Sequence, residues 1–411
     1  MHTPLFVILA GGIGKNFAPL VTNKTIFPFF GRPLIAHTLE MIQQAGASEA
    51  IVVCNRANQE LIASLSSRQL SIQTVVQNEA DGQAAALMLA QPLIGERPII
   101  VLNAVDVLDS KVLRDFVKQA SKTYAQTLGM RVKEYFPGGY LSLTGERVTA
   151  IIEKPAPGTE PSDIANLFFH YFSRPQDLFA LMQQEQAAGG DDAYERTLDL
   201  LLQRAEVKCF VYDSYWQKLK EAHRVLDVAR LLLRERLRPH VAKSAYIDKL
   251  ASISGPVYIG EGAKILAGAV ITGPAFIGDG VIVGNHTLIR NSIVEAGSII
   301  GFGSEVARSY IGPKCQLHHN FIGDSVLEAE VNPSYGTCTA NLRFDGQTVA
   351  CKLPDKKIPT TKHKLGAIMA KGVFLGVNCS LLPGITLGAG ATAYPGSVIS
   401  QAVGAEESWH K

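Results

Sequence analysis

Aliphatic residues recur at every sixth position through the second half of the chain. A helix would repeat its apolar positions about every 3.6 residues and an ordinary strand every second residue, so neither explains this spacing. A period of six residues is typical of a parallel β-helix, in which each unit forms one face of a three-sided coil and points its aliphatic residue inward. The first series consists of Ile247, Ile253, Ile259, Ile265, Ile271, Ile277, Val283 and Ile289.

The series shifts by one residue twice and is interrupted once. A polar, lysine-rich segment breaks the pattern between about 341 and 365. Insertions in repeat proteins usually leave the stack as a loop, often a functional one, so we expect this segment to project from the coil. The later members of the series are Val294, Ile300 and Val306, then Ile311 and Leu317, and finally Leu375, Leu381, Leu387, Ala393 and Ile399.

Short apolar runs alternate with helical stretches in the N-terminal part of the chain. This alternation predicts an α/β domain with a mainly parallel, doubly wound sheet. We expect that domain over 1–230, a linker over 231–240 and the β-helix over 241–411. The predicted strands are Leu5–Leu9, Ala50–Val53, Ile72–Val76, Ile99–Leu102 and Val207–Val211, and the clearest helical stretches are 33–45 and 222–236.

Composition and charge narrow the class of protein. The 411 residues are 47% hydrophobic and 18% charged with a net charge of +2, which suits a globular protein with a sizeable core. No polybasic run indicates a nucleic acid or an anionic membrane as a partner. No apolar run is long enough for a membrane-spanning helix or a secretion signal, so we expect a cytoplasmic protein. The six cysteines are scattered, and we expect buried, inert thiols.

A glycine-rich turn over 9–16 directly follows the first apolar run. Gly11, Gly12 and Gly14 would let backbone N–H groups approach a phosphate closely, although a plain tight turn explains the same residues equally well. Residues further along the chain favour the phosphate interpretation, because Asp106 ends an apolar run, where an α/β sheet presents its ligand site. The other candidates are Lys24, Gln77, Gly82, Glu153, Lys154 and Asn166.

These residues together resemble the sugar-1-phosphate nucleotidyltransferases, or NDP-sugar pyrophosphorylases, over nearly all of 1–230. The resemblance implies a Rossmann-like domain that transfers a nucleotidyl group from a nucleoside triphosphate to a sugar-1-phosphate. It implies that Gly11, Gly12, Gly14 and the candidate catalytic Lys24 contact the nucleotide phosphates, that Gln77 and Gly82 face the base, that Asp106 binds Mg²⁺, and that Glu153, Lys154 and Asn166 hold the sugar phosphate.

Several positions depart from that family's pattern. Asn16 stands where the family has an arginine that binds the triphosphate, and the neighbouring Lys15 does not offer the same bidentate fork. Phe168 replaces a glycine near the expected sugar pocket. Lys218 replaces the second Mg²⁺ carboxylate of the family, and a cation there repels the metal. We therefore expect nucleotidyl transfer to be absent or very weak.

A second group of polar residues lies in the coil, over 318–324 and 336–341, and 364–367 follows the insertion. This pattern resembles the acetyltransferase half of the bifunctional glucosamine-1-phosphate acetyltransferase/N-acetylglucosamine-1-phosphate uridyltransferases, most closely the archaeal-type two-domain enzymes. Residues 339–345 reproduce the end of that pattern without change. The resemblance implies a left-handed β-helix that transfers the acetyl group of acetyl-CoA to an amino-sugar-1-phosphate.

The resemblance also implies roles for individual residues. His318 would be the general base, since histidine titrates near neutrality and suits proton transfer at physiological pH. Asn341 would orient the amine or the developing oxyanion, and Asp324 would position the His318 ring. His319 takes the place of a leucine, so we expect it to serve packing. Phe321 replaces a tyrosine and loses its hydroxyl contact to the sugar.

Two hypotheses remain open at this point. The first is a two-domain transferase whose partners are a sugar-1-phosphate, a nucleoside triphosphate or NDP-sugar, and acetyl-CoA, assembled as a homotrimer or a dimer of trimers. In it, Lys362 and Lys364 would hold phosphates of the sugar or of coenzyme A, although a solvated basic loop explains them equally well. The second is a non-catalytic protein that senses a nucleotide sugar and uses the coil as an oligomerisation scaffold.

Overall fold

A computed structural model describes residues 3–12, 14–79, 81–135, 138–187 and 192–410. Ile13 of the glycine-rich turn lies outside the described residues. The chain divides into two compact units. The first, the sheet unit, comprises Met1–Ile13 and Leu34–Trp216, and the second, the coil unit, comprises Gly14–Pro33 and Gln217–Lys411.

One mixed sheet forms the centre of the sheet unit. The predicted apolar runs are all strands of it, with ends that differ from the prediction by at most one residue. Among the described residues the sheet has nine strands, in the spatial order Ser71–Val76, Glu49–Cys54, Leu5–Leu9, Ile99–Asn103, Ile164–Phe172, Ala125–Arg131, Val207–Tyr212, Arg147–Glu153 and Gly139–Thr144.

Both faces of this sheet are covered by helices, as the doubly wound prediction requires. Side chains alternate along Leu5–Leu9, so Leu5, Val7 and Leu9 join one apolar cluster and the intervening residues join another. The prediction of a mainly parallel sheet is wrong for its second half, because the strand Ile164–Phe172 runs antiparallel to both neighbours. The helices are Leu34–Gln44, Gln59–Ser64, Gln83–Ile94, Ser110–Ala120, Pro175–Ala187 and Ala193–Arg204.

The coil unit contains the predicted left-handed parallel β-helix. Successive coils lie 18 residues apart at first, as in Tyr246 beside Lys264, 17 apart after the first shift of the sequence pattern, as in Ile282 beside Ile299, and 16 apart after the second, as in Tyr310 beside Val326. The predicted inward residues from Ile259 onward are buried in one continuous core. Stacking of coils, rather than packing of layers, therefore buries the apolar surface of this unit.

The coil has three faces, which we number in chain order. The first face consists of His240–Val241, Val257–Ile259, Ala275–Ile277, Ile293–Val294, Tyr310–Ile311, Val326–Leu327, Ile368–Met369 and Thr386–Leu387. The second consists of Tyr246–Ile247, Lys264–Ile265, Ile282–Val283, Ile299–Ile300 and Gln316–Leu317, then Asn332–Pro333, Phe374–Leu375, Thr392–Ala393 and Ser408–Trp409. The third consists of Ser252–Ser254, Val270–Thr272, Leu288–Arg290, Glu305–Ala307, Phe321–Gly323, Cys338–Thr339, Ser380–Leu381 and Val398–Ile399.

Two further segments of this unit lie against the coil. The helix Val225–Glu235, preceded by a short 3₁₀ turn over Ala222–Arg224, contacts the first face at Tyr310–Ile311. The predicted insertion leaves the stack after Asn341, forms the antiparallel pair Cys351–Lys352 and Lys357–Ile358, and returns at the buried Leu365. No helix in the described ranges is long and apolar enough to cross a membrane.

Candidate active sites

The glycine-rich turn of the sheet unit lies at the carboxyl end of its central strands. Gly11 is in direct contact with the predicted base-facing residue Gln77, because a Cβ atom at Gly11 would lie only 2.3 Å from Gln77 Oε1. Any larger residue at Gly11 would displace that side chain. The structure therefore brings Gly11, Gly12, Gln77 and Gly82 together at one edge of the sheet, where doubly wound folds bind their ligands.

The amide of Gln77 is occupied by its own loop in this structure. Its Nε2 donates to Asp81 Oδ1 at 2.6 Å and to the backbone carbonyl of Gly82 at 3.1 Å. Both N–H bonds of the amide are thereby used. Donation of a hydrogen bond from this amide to a nucleobase would require it to leave Asp81 or Gly82.

Two asparagines that the sequence analysis missed support the glycine-rich turn. Asn55 Nδ2 donates to the carbonyl of Gly11 at 3.1 Å, and Asn58 Nδ2 donates to that of Ala10 at 2.9 Å. Both residues are buried and follow the strand Glu49–Cys54, as Gln77 follows the neighbouring strand. Their position directly after a predicted inner strand is the feature of the sequence that could have identified these two asparagines as residues of the site.

Asp106 follows the strand Ile99–Asn103 and is buried. Its Oδ1 accepts a hydrogen bond of 2.9 Å from the indole N–H of Trp216. Two positions later, Lys218 ends the short strand Trp216–Lys218 and is half-buried. Among the described residues, no group of three His, Cys, Asp or Glu side chains could hold a metal ion.

The residues predicted to hold the sugar phosphate lie around the outer strand Gly139–Thr144. Gly139 pairs with Glu153, and Tyr140 pairs with Ala165, next to Asn166. A Cβ atom at Gly139 would lie 2.5 Å from Glu153 Oε1, so that glycine makes room for the carboxylate. Glu153 and the following Lys154 are exposed. The structure thus brings Glu153, Lys154 and Asn166 to one region.

Thr127 Oγ1 donates to Asn166 Oδ1 at 2.6 Å, which fixes the orientation of that amide. Two residues further on, Phe168 packs on the rings of Tyr194 and His170, with centroid distances of 5.0 and 5.2 Å. The large side chain that replaces the family's glycine is therefore held in an aromatic cluster. Burial lowers the pKa of His170 to about 3, so this cluster is uncharged.

The remaining predicted nucleotide-binding residues belong to the coil unit. Gly14 adopts a left-handed conformation with φ 72° and precedes a 3₁₀ turn over Lys15–Phe17. Asn16 is exposed and Lys24 is half-buried. All of them lie in the segment Gly14–Pro33, which groups with the coil.

His318 lies at the corner between the second and third faces of the coil. The preceding Leu317 is fully buried and points inward, as predicted, and His318 is exposed. Its Nδ1 lies over Gly301 of the preceding coil, where a Cβ atom would be only 3.4 Å away. No other described residue forms a hydrogen bond with the His318 ring, so its nitrogens are available to a ligand.

His319 is exposed on the outside of the coil. Its ring stacks on Tyr335 at 5.1 Å and on Phe302 at 6.2 Å, with interplanar angles of 11° and 15°. The predicted packing role of His319 thus takes the form of an external aromatic stack.

Asp324 does not contact His318, so the prediction that it positions that ring is wrong. Its buried carboxylate instead pairs with Arg308, which donates from Nε at 2.8 Å and from Nη2 at 2.6 Å. The same carboxylate accepts a hydrogen bond of 2.6 Å from Asn341 Nδ2. The pair with Asp324 raises the pKa of Arg308 further, so the guanidinium stays charged. Asp324 therefore orients Asn341 and Arg308.

Gly323 explains how the Asn341 amide reaches this position. A Cβ atom at Gly323 would lie 2.8 Å from both Asn341 Nδ2 and Phe321 Cζ. The amide and the aromatic ring therefore meet above the glycine on the outside of the coil. Phe321 has no hydroxyl group to offer, but its ring forms an apolar wall beside Asn341.

His318 and Asn341 lie at different corners of two successive coils. His318 precedes the strand Phe321–Gly323 of the third face, and Asp324 with Asn341 lies beyond that strand. A strand of three residues spans about 10 Å. The two predicted catalytic residues of one chain are thus separated by the width of a coil face.

A cleft of about 570 Å³ opens beside Asp324 and Arg308. Arg224, Asp227 and Arg230 line it from the helical segment, and residues 361–364 line it from the insertion. The lining includes five lysines and arginines and two aspartates, so its net charge is positive. Three of these five residues are arginines, whose guanidinium groups favour a phosphorylated ligand.

Lys362 and Lys364 differ in their surroundings within this cleft. Lys362 is largely buried and forms an ion pair with Asp227. Burial lowers the pKa of Lys362, and the nearby Arg230 and Arg224 lower it as well, against the opposing effect of Asp227. Lys364 is exposed. Lys364 is therefore available to a ligand, whereas Lys362 is engaged in holding the insertion against the helix.

Several known proteins resemble this chain over most of its length. Residues 5–233 match the family described as nucleotidyl transferase. The chain belongs to the nucleotidyl transferase family. A bifunctional sugar-1-phosphate nucleotidylyltransferase/acetyltransferase of Sulfurisphaera tokodaii is 28% identical over 403 residues, which are 97% of each chain. The bifunctional protein GlmU of Methanocaldococcus jannaschii is 27% identical over 93% of this chain and 91% of its own.

A solved structure resembles the fold of the family domain alone. Apo-UDP-glucose pyrophosphorylase superposes with a TM-score of 0.52 at 17% identity, over 57% of this chain and 100% of its own. The comparisons confirm the predicted family and the interpretation of the chain as a transferase of this group. They give no support to the non-catalytic alternative.

Proposed function

We propose that the coil unit transfers the acetyl group of acetyl-CoA to the amine of an amino-sugar-1-phosphate. The observation that carries this proposal is the buried carboxylate of Asp324, which orients the Asn341 amide and Arg308 at the rim of a basic cleft. An amide donor beside a site for a phosphorylated ligand suits acyl transfer to a sugar phosphate. The names of the full-length relatives support the same chemistry.

The reaction needs a base and an oxyanion donor. The amine of the acceptor attacks the thioester carbonyl carbon, so a C–N bond forms and the C–S bond breaks. His318 accepts the proton that the attacking nitrogen loses and passes it to the departing thiolate of coenzyme A. Asn341 donates a hydrogen bond to the carbonyl oxygen as it becomes negative.

The basic cleft supports the recognition of phosphate. Arg224 forms only long ion pairs, at 3.4 Å with Glu221 and at 3.9 Å with Asp227. Arg230 and Lys364, which also line the cleft, form no ion pair with any described residue. Burial lowers the pKa of His223 to about 4, and the nearby Arg224 and Lys362 lower it too. We assign the phosphate of the acceptor or those of coenzyme A to this cleft.

The separation of His318 from Asn341 supports an assembly in which neighbouring copies complete each site. In a homotrimer, or a dimer of trimers, the corner of one copy that carries His318 would face the corner of a neighbouring copy that carries Asn341. We expect light scattering to give the mass of a trimer or hexamer. A stable monomer would contradict this arrangement and weaken the acetyltransferase proposal.

For the sheet unit we propose nucleotidyl transfer between a nucleoside triphosphate and a sugar-1-phosphate, at a low rate. Gly11, Gly12 and Gly82 would hold the nucleotide. The residues present do not fit a Mg²⁺ site built from two carboxylates, because Asp106 bonds to Trp216 and Lys218 stands at the position of the second carboxylate. We therefore derive no step through a metal ion bound there.

The double substitution Lys218→Asp with Asn16→Arg should raise nucleotidyl transfer. The first change replaces a cation with a Mg²⁺ ligand, and the second supplies a fork for the triphosphate. The measurement is pyrophosphate release with Mg²⁺, triphosphate and sugar-1-phosphate, with each single variant as a control. Rapid turnover by the unaltered protein would contradict this account of both residues.

In functional terms we assign 1–230 to the nucleotidyl half, 231–240 to a linker and 241–411 to the acetyl half. A cytoplasmic protein agrees with substrates of this class. Two separate assays test the proposal. One supplies sugar-1-phosphates with triphosphates, and the other supplies amino-sugar-1-phosphates with acetyl-CoA, so that failure of one half is distinguished from failure of the other.

A further inference from the structure

The segment Gly14–Pro33 folds onto the first face of the coil. It ends in a hairpin whose strands, Pro28–Phe29 and Arg32–Pro33, are joined by Phe30 and Gly31. Both turn residues have positive φ, 58° and 70°. A glycine adopts this conformation freely, but a phenylalanine does so only where its surroundings enforce it.

An outward-facing row of apolar residues on the first face receives this segment. Phe30 stacks on Phe276 at 4.9 Å. Phe27 lies 5.1 Å from Tyr310, whose hydroxyl donates to the carbonyl of Pro28 at 2.9 Å. Phe27 and Tyr310 are fully buried. Apolar packing therefore fixes the segment on the coil but leaves its backbone N–H groups to be satisfied.

Glu328 satisfies two of those groups. It follows the strand Val326–Leu327 and is 2% exposed. Its Oε1 accepts from the N–H of Thr22 at 2.8 Å, and its Oε2 accepts from Val21 at 3.2 Å and from Lys371 of the next coil at 2.9 Å. One carboxylate thus joins the segment to two coils through backbone donors alone.

Glu295 makes the second attachment, at the hairpin turn. It is buried, and its Oε2 accepts from the N–H of Gly31 at 2.8 Å. Burial raises the pKa of Glu295 to about 7, while hydrogen bonds from Gly31 and Phe30 oppose that shift. A buried carboxyl is costly unless hydrogen bonds compensate it. The hydrogen bonds that compensate Glu295 come from the segment Gly14–Pro33. Two of the three hydrogen bonds that Glu328 accepts also come from that segment.

We propose that Glu328 and Glu295 are positioning residues for nucleotide binding. They hold the segment that carries Gly14 and Lys24, for which the sequence resemblance implies contacts with the nucleotide phosphates. This inference rests on the nucleotidyl half of the proposed function. A carboxylate that fixes backbone N–H groups sets the path of the segment without touching the nucleotide itself.

Glu328→Ala tests this role, and Glu328→Gln tests whether a neutral acceptor restores it. Glu330→Gln is the matched control, because Glu330 lies two residues away on the same corner and its side chain is about half exposed. Hydrogen exchange of peptides within 14–33 reports on the segment. Titration with ATP, CTP, GTP, UTP and dTTP reports on nucleotide affinity, and circular dichroism reports on the fold.

In Glu328→Ala we expect faster exchange at Val21 and Thr22 and about tenfold weaker nucleotide binding, because two hydrogen bonds to a charged group are lost. Glu328→Gln should recover part of both, and Glu330→Gln should match the unaltered protein. Faster exchange with unchanged affinity would overturn the positioning role alone, and unchanged exchange would overturn the attachment. Absence of nucleotide binding in the unaltered protein would overturn the nucleotidyl proposal and this assignment with it.

Discussion

Replacing His318 with alanine should reduce acetyl transfer by about 10²–10⁴-fold, the usual loss when a general base is removed. His318 is exposed at a corner of the coil and receives no hydrogen bond on its ring from any other described residue. The imidazole therefore supports no other part of the structure. Folding, measured by circular dichroism and thermal unfolding, should be unchanged. The rate is measured as release of the coenzyme A thiol with glucosamine-1-phosphate or galactosamine-1-phosphate.

His319→Ala is the matched control for this experiment. It removes an exposed ring that stacks between Phe302 and Tyr335, so we expect a loss of stability of about 1 kcal/mol and little change in rate. Equal rates for the unaltered protein and His318→Ala would remove His318 from the mechanism. A large loss of rate in His319→Ala, with the fold intact, would indicate that His319 rather than His318 is the base.

Replacing Asn341 with alanine should lower kcat by about 10²–10³-fold, as removal of an oxyanion donor usually does. Asp324→Asn keeps the shape of the carboxyl but removes its charge, so it should misorient the Asn341 amide and lower kcat by up to about 10²-fold. Because Asp324 also pairs with Arg308, this variant should unfold more easily than Asn341→Ala.

A separate determination of kcat and KM distinguishes positioning from stability. If Asp324 orients Asn341, Asp324→Asn lowers kcat even at temperatures far below its unfolding transition. If it serves only the fold, kcat is unchanged there and only the unfolding temperature falls. In that second case Asp324 does not position Asn341 for catalysis.

The sequence predicted the coil well because a single period determines it. Every inward residue from Ile259 onward is buried where the spacing places it, and the two shifts of the series shorten the coil repeat from 18 residues to 17 and then to 16. The sheet unit was predicted less completely. Alternation of strands and helices indicated the layers, but the direction of Ile164–Phe172 depends on pairings between residues far apart in the sequence.

The candidate sites show the same limit. The position of His318 follows from Leu317 pointing inward, one residue earlier. The ion pair between Asp324 and Arg308 could not be predicted in this way, because Arg308 lies one coil away and only stacking of the coils brings the two side chains together. Asn55 and Asn58 were missed for a similar reason, since their hydrogen bonds join two adjacent strands.

The sequence indicates where the segment Gly14–Pro33 packs, through apolar residues that point outward from the coil. A search limited to inward-pointing residues does not find them. Tyr258, Phe276, Ile293, Tyr310 and Val326 form a second apolar row, which points outward from the first face. Coils in water do not expose such a row without a cover. The identity of the cover was not predictable, because the segment lies more than 200 residues earlier in the chain.

The most direct test of the account is mass analysis of the product formed by the unaltered protein with acetyl-CoA and an amino-sugar-1-phosphate. We expect one coenzyme A released for each N-acetylated sugar-1-phosphate formed, and no product when the acceptor lacks its amine. If coenzyme A is released with neither glucosamine-1-phosphate nor galactosamine-1-phosphate, the acetyltransferase proposal is contradicted and the scaffold hypothesis is favoured.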